Sequence, residues 1–158
     1  MESKKGLKLD IGCGRMPHRG YKTIDVEEYA NPDYLGDFRE MSFEDVEEIR
    51  SHHLLEHFGR EEGEKVLKLW HSWLRQGGKL IVETPDFEEI GKDFSIDPYW
   101  MTRHAFGSQE SDWAYHRDGW YEAKFREVLP RLGFEIISIG KSKSRKILPN
   151  VTVIAKKQ

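Results

Sequence analysis

Apolar and polar residues along this chain change places in short runs, and the runs mark out a series of strands and two helices. Leu7, Leu9 and Ile11 alternate with Lys8 and Asp10, the two-residue period of a strand with one buried face, and Gly12-Cys13-Gly14 closes the run. Lys22–Val26 reads as a second strand, followed by acidic residues and the turn signal Asn31-Pro32-Asp33. A brief third strand is expected near Tyr34–Phe38. Ser42, Phe43, Val46 and Ile49 suggest a short helix or turn leading into a fourth strand around Glu48–Ser51.

The clearest helix runs from Arg60 to Gln76. Val66, Leu67, Leu69, Trp70, Trp73 and Leu74 form one stripe, Glu61, Glu62 and Glu64 suit its positive end, and Gly77-Gly78 supply a stop. Lys79–Thr84 follows as a strand ended by Pro85-Asp86. A second helix fits Gly119–Leu132, with Pro130 bending its last turn. Strands Phe134–Ile139 and Val151–Ala155 close the chain, joined by the basic loop Lys141–Asn150. Between these elements, residues 87–119 show aromatics, histidines and turn residues without a sustained period. A stretch of that length inside a compact domain predicts a lid or substrate segment.

Strands alternating with helices predict an α/β fold with a mostly parallel sheet and an antiparallel last strand, in a single domain over 1–158. Apolar runs are short, as at Leu80-Ile81-Val82, so no membrane span is expected. The opening Met1–Gly6 has no apolar run after its charges and predicts no secretory signal. The single cysteine, Cys13, suits a reducing, cytoplasmic setting. Twenty-five basic against 28 acidic residues, a net charge of −3, argue against a nucleic-acid partner held by bulk positive charge. A hydrophobic fraction of 37% is low for a compact α/β enzyme.

The turn Asp10-Ile11-Gly12-Cys13-Gly14 lies where a parallel sheet binds ligands, outside the carboxyl end of a strand. A dinucleotide does not fit it. The third glycine of that fingerprint is Pro17 here, and Arg15–Tyr21 is too short for the helix whose N-terminus would hold a pyrophosphate.

A cofactor without phosphates escapes that objection, and here the sequence resembles the class I S-adenosylmethionine-dependent methyltransferases. The resemblance rests on Leu9–Gly14, Asp25, Asp37-Phe38, His53–Phe58 and Trp73–Leu80, in order along the chain. It implies a three-layer Rossmann-like fold, here without a full helix between Gly14 and Asp25, and the cofactor S-adenosyl-L-methionine with S-adenosyl-L-homocysteine as product. It places Asp25 on the ribose hydroxyls, Asp37 and Phe38 beside the adenine, and Val26 and Leu54 against its faces. Asp10, Gly12, Cys13 and Gly14 would surround the methionine part, Arg15 would pair with its carboxylate, and His53 would line the pocket. The short first crossover and His116–Trp120 look like a compact bacterial subgroup linked to cell-surface glycan synthesis. Transfer to an oxygen or nitrogen of a small molecule or glycan is therefore expected. A non-catalytic cofactor-binding subunit with the same fold is the alternative.

Removal of an acceptor proton calls for a group titrating near neutrality. His116 and His53 are the leading candidates, with His104 and Asp86 also on the substrate side, and Tyr99, Trp100, Phe106, Trp113, Tyr115 and Trp120 offer a platform for a flat ligand. His53-Leu54-Leu55-Glu56-His57 also matches the His-x-x-Glu-His pattern of zinc hydrolases. No third ligand stands at a diagnostic spacing, so no metal is expected. Without the first helix, one sheet face would be thinly covered, to be masked by the aromatic segment or by a second copy of the chain.

Overall fold

The computed structural model describes residues 6–145 and 147–158. Seven strands form one sheet: β1 (Leu7–Ile11), β2 (Lys22–Asp25), β3 (Tyr34–Leu35), β4 (Val46–His52), β5 (Leu74–Pro85), β6 (Phe134–Ser144) and β7 (Leu148–Lys157). Their order is β3-β2-β1-β4-β5-β7-β6. Strands β1 to β5 pair in parallel, and β7 runs antiparallel to both its neighbours, as the sequence pattern predicts.

Two helices carry the apolar layer. Helix α1 (Arg60–Trp73) turns Val66, Leu67, Trp70 and Trp73 inward. Helix α4 (Glu122–Arg131) adds Phe125, Val128 and Leu129, and Pro130 falls in its last turn. These side chains join Leu9, Ile11, Ile49, Leu80, Val82, Val151 and Val153 in one buried cluster. Each fully buried side chain of this size contributes roughly 1.5–3 kcal/mol. The helices lie side by side: Arg131 pairs with Glu64 at 2.7 Å, and Gly63 leaves room for the Trp120 ring, which a Cβ there would meet at 3.2 Å.

Parallel crossovers are right-handed, and the chain steps one way through β1, β2 and β3 and the other way from β4 to β5. The two sets of connections therefore belong to opposite faces. Helix α1 covers one face. The connections of the other face are a loop at Gly12–Tyr21 and a 3-10 turn at Glu28–Ala30. The second helical layer of a three-layer fold is reduced to these loops.

The face they leave open is polar. Lys8 of β1 and Lys79 of β5 flank Glu48 of β4 at 3.6 and 3.2 Å, Tyr21 hydrogen-bonds the same carboxylate, and the Thr152 hydroxyl donates to Glu83 at 2.8 Å. Glu48 is buried at the centre of this group, its charge met by the two lysines. These charged positions contribute to the low apolar content of the chain.

Several boundaries differ from the sequence reading. Val46 and Ile49 share a face because Glu47 is a bulge: Leu7 pairs with Val46 and Lys8 with Glu48, so three-residue spacing arises within a strand. Helix α1 ends at Trp73. Leu74 already pairs with Val46, and Arg75–Gly78 loop out before Lys79 pairs with Glu48. The segment 87–119 contains α2 (Phe87–Asp93), α3 (Pro98–Phe106) and a 3-10 turn at Asp112–Ala114. Asp86 caps α2 by accepting from the Glu88 and Glu89 amides, and Asp97 caps α3 from Trp100. The basic loop is largely strand: Lys141 and Lys143 stand on β6, paired with Glu89 at 2.9 Å and Asp93 at 2.5 Å, while Lys146 lies outside the described residues. Among the described residues no helix is long and apolar enough to cross a membrane.

Candidate functional site

The connections leaving β1 and β4 diverge to opposite faces, which opens a crevice at the carboxyl ends of adjacent strands. A cavity of about 360 Å³ occupies it. Its floor is the turn after β1. The Gly12 amide donates to the Ile24 carbonyl at 2.8 Å, with Gly12 at φ +71° and Gly14 at φ +54°. A Cβ on Gly12 would stand 3.0 Å from the Leu54 side chain, so both the backbone shape and the close approach require glycine.

Asp25, at the end of β2, fastens this turn. Its Oδ2 accepts the Gly14 amide at 2.8 Å and its Oδ1 accepts the Glu27 amide at 2.9 Å. Asp37, just past β3, holds Arg39 through the Arg39 amide, Nε and Nη2, the last at 2.6 Å, and this guanidinium keeps the Asp37 carboxyl below its usual range despite burial. Arg39 continues to Glu62 of α1 and lies 5.3 Å over the Phe58 ring. Phe38 is buried edge-on against Phe58.

His53 follows β4 directly, with φ +50° and its amide donating to the Glu83 carbonyl at 2.8 Å. Its ring lies between two carboxylates, with Nδ1 3.3 Å from Glu56 and Nε2 3.4 Å from Glu83. Burial disfavours the charged ring, yet the two carboxylates outweigh it and raise its pKa to about 9. The same contact lowers Glu83 to about 2.

Gly12, Gly14, Asp25, Val26, Asp37, Phe38, His53 and Leu54 all line the cavity. Asp10, Cys13 and Arg15 do not. Strand alternation sends Asp10 away from the cavity, where it accepts the His18 amide at 2.8 Å. Cys13 is buried beneath the turn, its thiol pushed up to about 11 by burial and by Asp25 and Asp10. Arg15 stacks 4.8 Å over the Tyr29 ring and does not turn inward. The wall residues Glu27, Tyr29, Arg39, His57, Glu62 and Arg117 were not expected, whereas Trp113 belongs to the aromatic set expected as a platform. Arg39 is legible only as a cation two residues after an aspartate. Trp113 and Arg117 come from the segment expected to lie over the site.

His116 does not line this cavity. It borders a neighbouring one of about 540 Å³, together with Phe106, Asp118, Tyr121 and Lys124, and Arg117 reaches both. Burial lowers the His116 pKa, and Nδ1–H donates to the His104 carbonyl at 3.0 Å. His104 is buried, its Nε2 2.8 Å from the Pro149 carbonyl. Asp86 is fully buried as a helix cap, 3.4 Å from Lys141. Of the aromatic set only Trp113 reaches the cavity, and Trp120 is core. The zinc-hydrolase pattern fails as drawn. His53 lies just past the end of β4 and Leu55–His57 is a 3-10 turn, so His53 and His57 do not share a helix face.

No family model matches the chain, and no curated protein matches it. Solved structures do. A SAM-dependent methyltransferase from Methanosarcina mazei superposes with a TM-score of 0.70 at 16% identity, covering 98% of this chain and 93% of that one. Magnesium protoporphyrin IX methyltransferase from Synechocystis, with bound SAH, gives 0.65 at 18% identity over 97% of this chain and 74% of that one. A SAM-dependent methyltransferase from Archaeoglobus fulgidus gives 0.64 at 19% identity over 98% and 87%. The chain has the fold of the class I S-adenosylmethionine-dependent methyltransferases, with the helices of one sheet face reduced to loops.

Proposed function

We propose that the chain is an S-adenosylmethionine-dependent methyltransferase that uses the 360 Å³ cavity for its cofactor and passes the methyl group to an oxygen or nitrogen of a small molecule or glycan. The observation that carries this reading is convergence: the ends of β1, β2 and β3 deliver the glycine turn, Asp25 and Asp37 to one cavity. Asp25 already spends one lone pair of each oxygen on a backbone amide, and the remaining pairs suit two neighbouring ribose hydroxyls. Asp37 offers an acceptor to an adenine amino group. Phe38 opens a 3-10 turn, so its amide is one of the donors that such a turn leaves free. Leu54 and Val26 supply apolar contact for the ring faces.

The cofactor, when bound, supplies a methyl group already activated by its sulfonium. The chain's part is position and charge. A sulfonium needs no phosphate site, so the loop after Gly14 in place of a helix is no obstacle. His53, held protonated at neutral pH, orders the rim between Glu56 and Glu83 and is not a proton acceptor there.

The test is S-adenosylhomocysteine formation from S-adenosylmethionine over a panel of hydroxyl and amine acceptors, beside thermal-shift titration with S-adenosylhomocysteine. Stabilisation together with turnover is expected. Stabilisation without turnover on any acceptor would make the chain a cofactor-binding subunit, and neither response would overturn the reading.

A further inference from the structure

In the wall between the two cavities, beside the residues assigned to the cofactor, stands a cluster of one carboxylate and two imidazoles. Glu56 is 2% exposed, and among the described residues neither of its carboxylate oxygens has a hydrogen-bond partner. His53 Nδ1 is 3.3 Å from Oε1 but out of line for a hydrogen bond. A buried carboxylate left without hydrogen bonds is costly, by roughly 1–3 kcal/mol or more. Two imidazoles face it. His116 Nε2 is 3.9 Å from Oε1, and the His57 and His116 rings meet at right angles with centroids 4.8 Å apart. One donor atom from each of Glu56, His57 and His116 lies within 4.8 Å of the others.

The tautomers are set as a metal would need them. His57 Nδ1–H donates to the Tyr115 carbonyl at 3.1 Å, and His116 Nδ1–H donates to the His104 carbonyl at 3.0 Å. Each ring thereby spends Nδ1 on a backbone carbonyl and leaves Nε2 as the atom that can meet a metal. A backbone carbonyl on the far nitrogen is the usual support of a metal-bound histidine. The two halves of the cluster are also tied together, because the Arg117 and Asp118 amides donate to the Glu56 carbonyl at 2.7 and 3.2 Å.

We infer that Glu56, His57 and His116 form a binding site for one divalent transition-metal ion, with Zn²⁺ as the matching probe. Two imidazole nitrogens and one carboxylate are the ligand set of open zinc sites, whereas Mg²⁺ and Ca²⁺ call for oxygen ligands throughout. His57 borders the 360 Å³ cavity and His116 the 540 Å³ one. An ion held between them presents its open positions to an oxygen ligand arriving from either side. The site stands on its own geometry and does not require the methyl-donor reading.

The experiment strips the full chain with chelator, then titrates Zn²⁺, and Mn²⁺ in parallel, by calorimetry, and records the visible absorption of the Co²⁺-loaded protein. One saturable Zn²⁺ per chain is expected, with low-symmetry Co²⁺ bands. His116→Ala and Glu56→Gln should each lose it, while His18→Ala, at an exposed histidine elsewhere, keeps it. S-adenosylhomocysteine binding, followed in the same samples, reports separately on the fold and on the cofactor cavity. Absence of saturable Zn²⁺ binding to the intact chain, or equal binding by His116→Ala and His57→Ala, would overturn the assignment. Binding of Mn²⁺ in preference to Zn²⁺ would overturn the choice of ion.

Discussion

Replacement of Asp25 by alanine separates the two jobs assigned to that carboxylate. In the free protein it accepts two backbone amides, Gly14 at 2.8 Å and Glu27 at 2.9 Å, from turns on either side of the cavity. Hydrogen bonds to a charged group contribute roughly 1.5–3 kcal/mol each. The side chain is half-buried and the freed amides regain some water, so the lower end applies, and Asp25→Ala is expected to cost about 3 kcal/mol. In a domain of this size about 1 kcal/mol moves the melting temperature by about 2–4 °C, so a fall of roughly 6–12 °C is expected by calorimetry. Asp25→Asn keeps one acceptor for Glu27 but turns an amide toward the Gly14 amide, and should lose about half as much. Titration with S-adenosylhomocysteine well below the transition then reads the second job, where loss of the acceptor for two hydroxyls should weaken binding by about 100-fold. A melting temperature changed by less than about 2 °C would refute the clamp. A large fall in stability with unchanged affinity would refute the ribose assignment while leaving the clamp intact.

Other consequences follow from neighbouring contacts. His53 is raised from 6.5 to about 9, so its stabilising contribution is complete below about pH 6.5 and is lost as pH rises toward 9. Glu83 is lowered from 4.5 to about 2, so its contribution is present above about pH 4.5 and is lost as pH falls toward 2. Melting temperature against pH should therefore decline between 6.5 and 9, and Glu83→Gln should flatten that decline; an unaltered slope would show that the pair does not set it. Gly107, at φ +83°, has its absent Cβ directly against the Ala114 carbonyl, so Gly107→Ala should cost more than about 2 kcal/mol and raise hydrogen exchange around Gly107–His116. The Cys13 thiol, buried and held near 11, should react with iodoacetamide only on unfolding; rapid modification of the native protein at neutral pH would show the turn to be open.

What the sequence revealed and what it hid have physical causes. The strand alternation of Leu7–Ile11 and the stripe of α1 were plain because each buries one face over many residues. The three-residue spacing of Val46 and Ile49 was deceptive because a bulge at Glu47 imitates a helical period. Helices α2 and α3, seven and nine residues long, are too short to show a period, and their signals were the capping residues Asp86 and Asp97. The glycine turn was legible as a strand end closed by glycines, whereas Asp25, Asp37 and His53 were singled out only through the resemblance to the methyltransferases, and the fold brings all of them to one cavity. Asp10 was misjudged for want of one step of alternation, which sends it to the other face of the sheet. His116 meets Glu56 and His57 only through the fold, and no spacing announces a partner about 60 residues away. The low apolar fraction, first an oddity, reflects in part the charged face across β1, β4 and β5, where Lys8, Glu48 and Lys79 stand in place of a second apolar layer.

On the proposed reading, the cavity at the ends of β1, β2 and β3 holds an adenosyl group. A crystal structure of the chain grown with S-adenosylhomocysteine tests it most directly. The ribose hydroxyls are expected within hydrogen-bond reach of Asp25, the adenine edge at Asp37 and Phe38, and a ring face on Leu54. A nucleoside bound elsewhere, or a cavity still filled with solvent at saturating ligand, would contradict it.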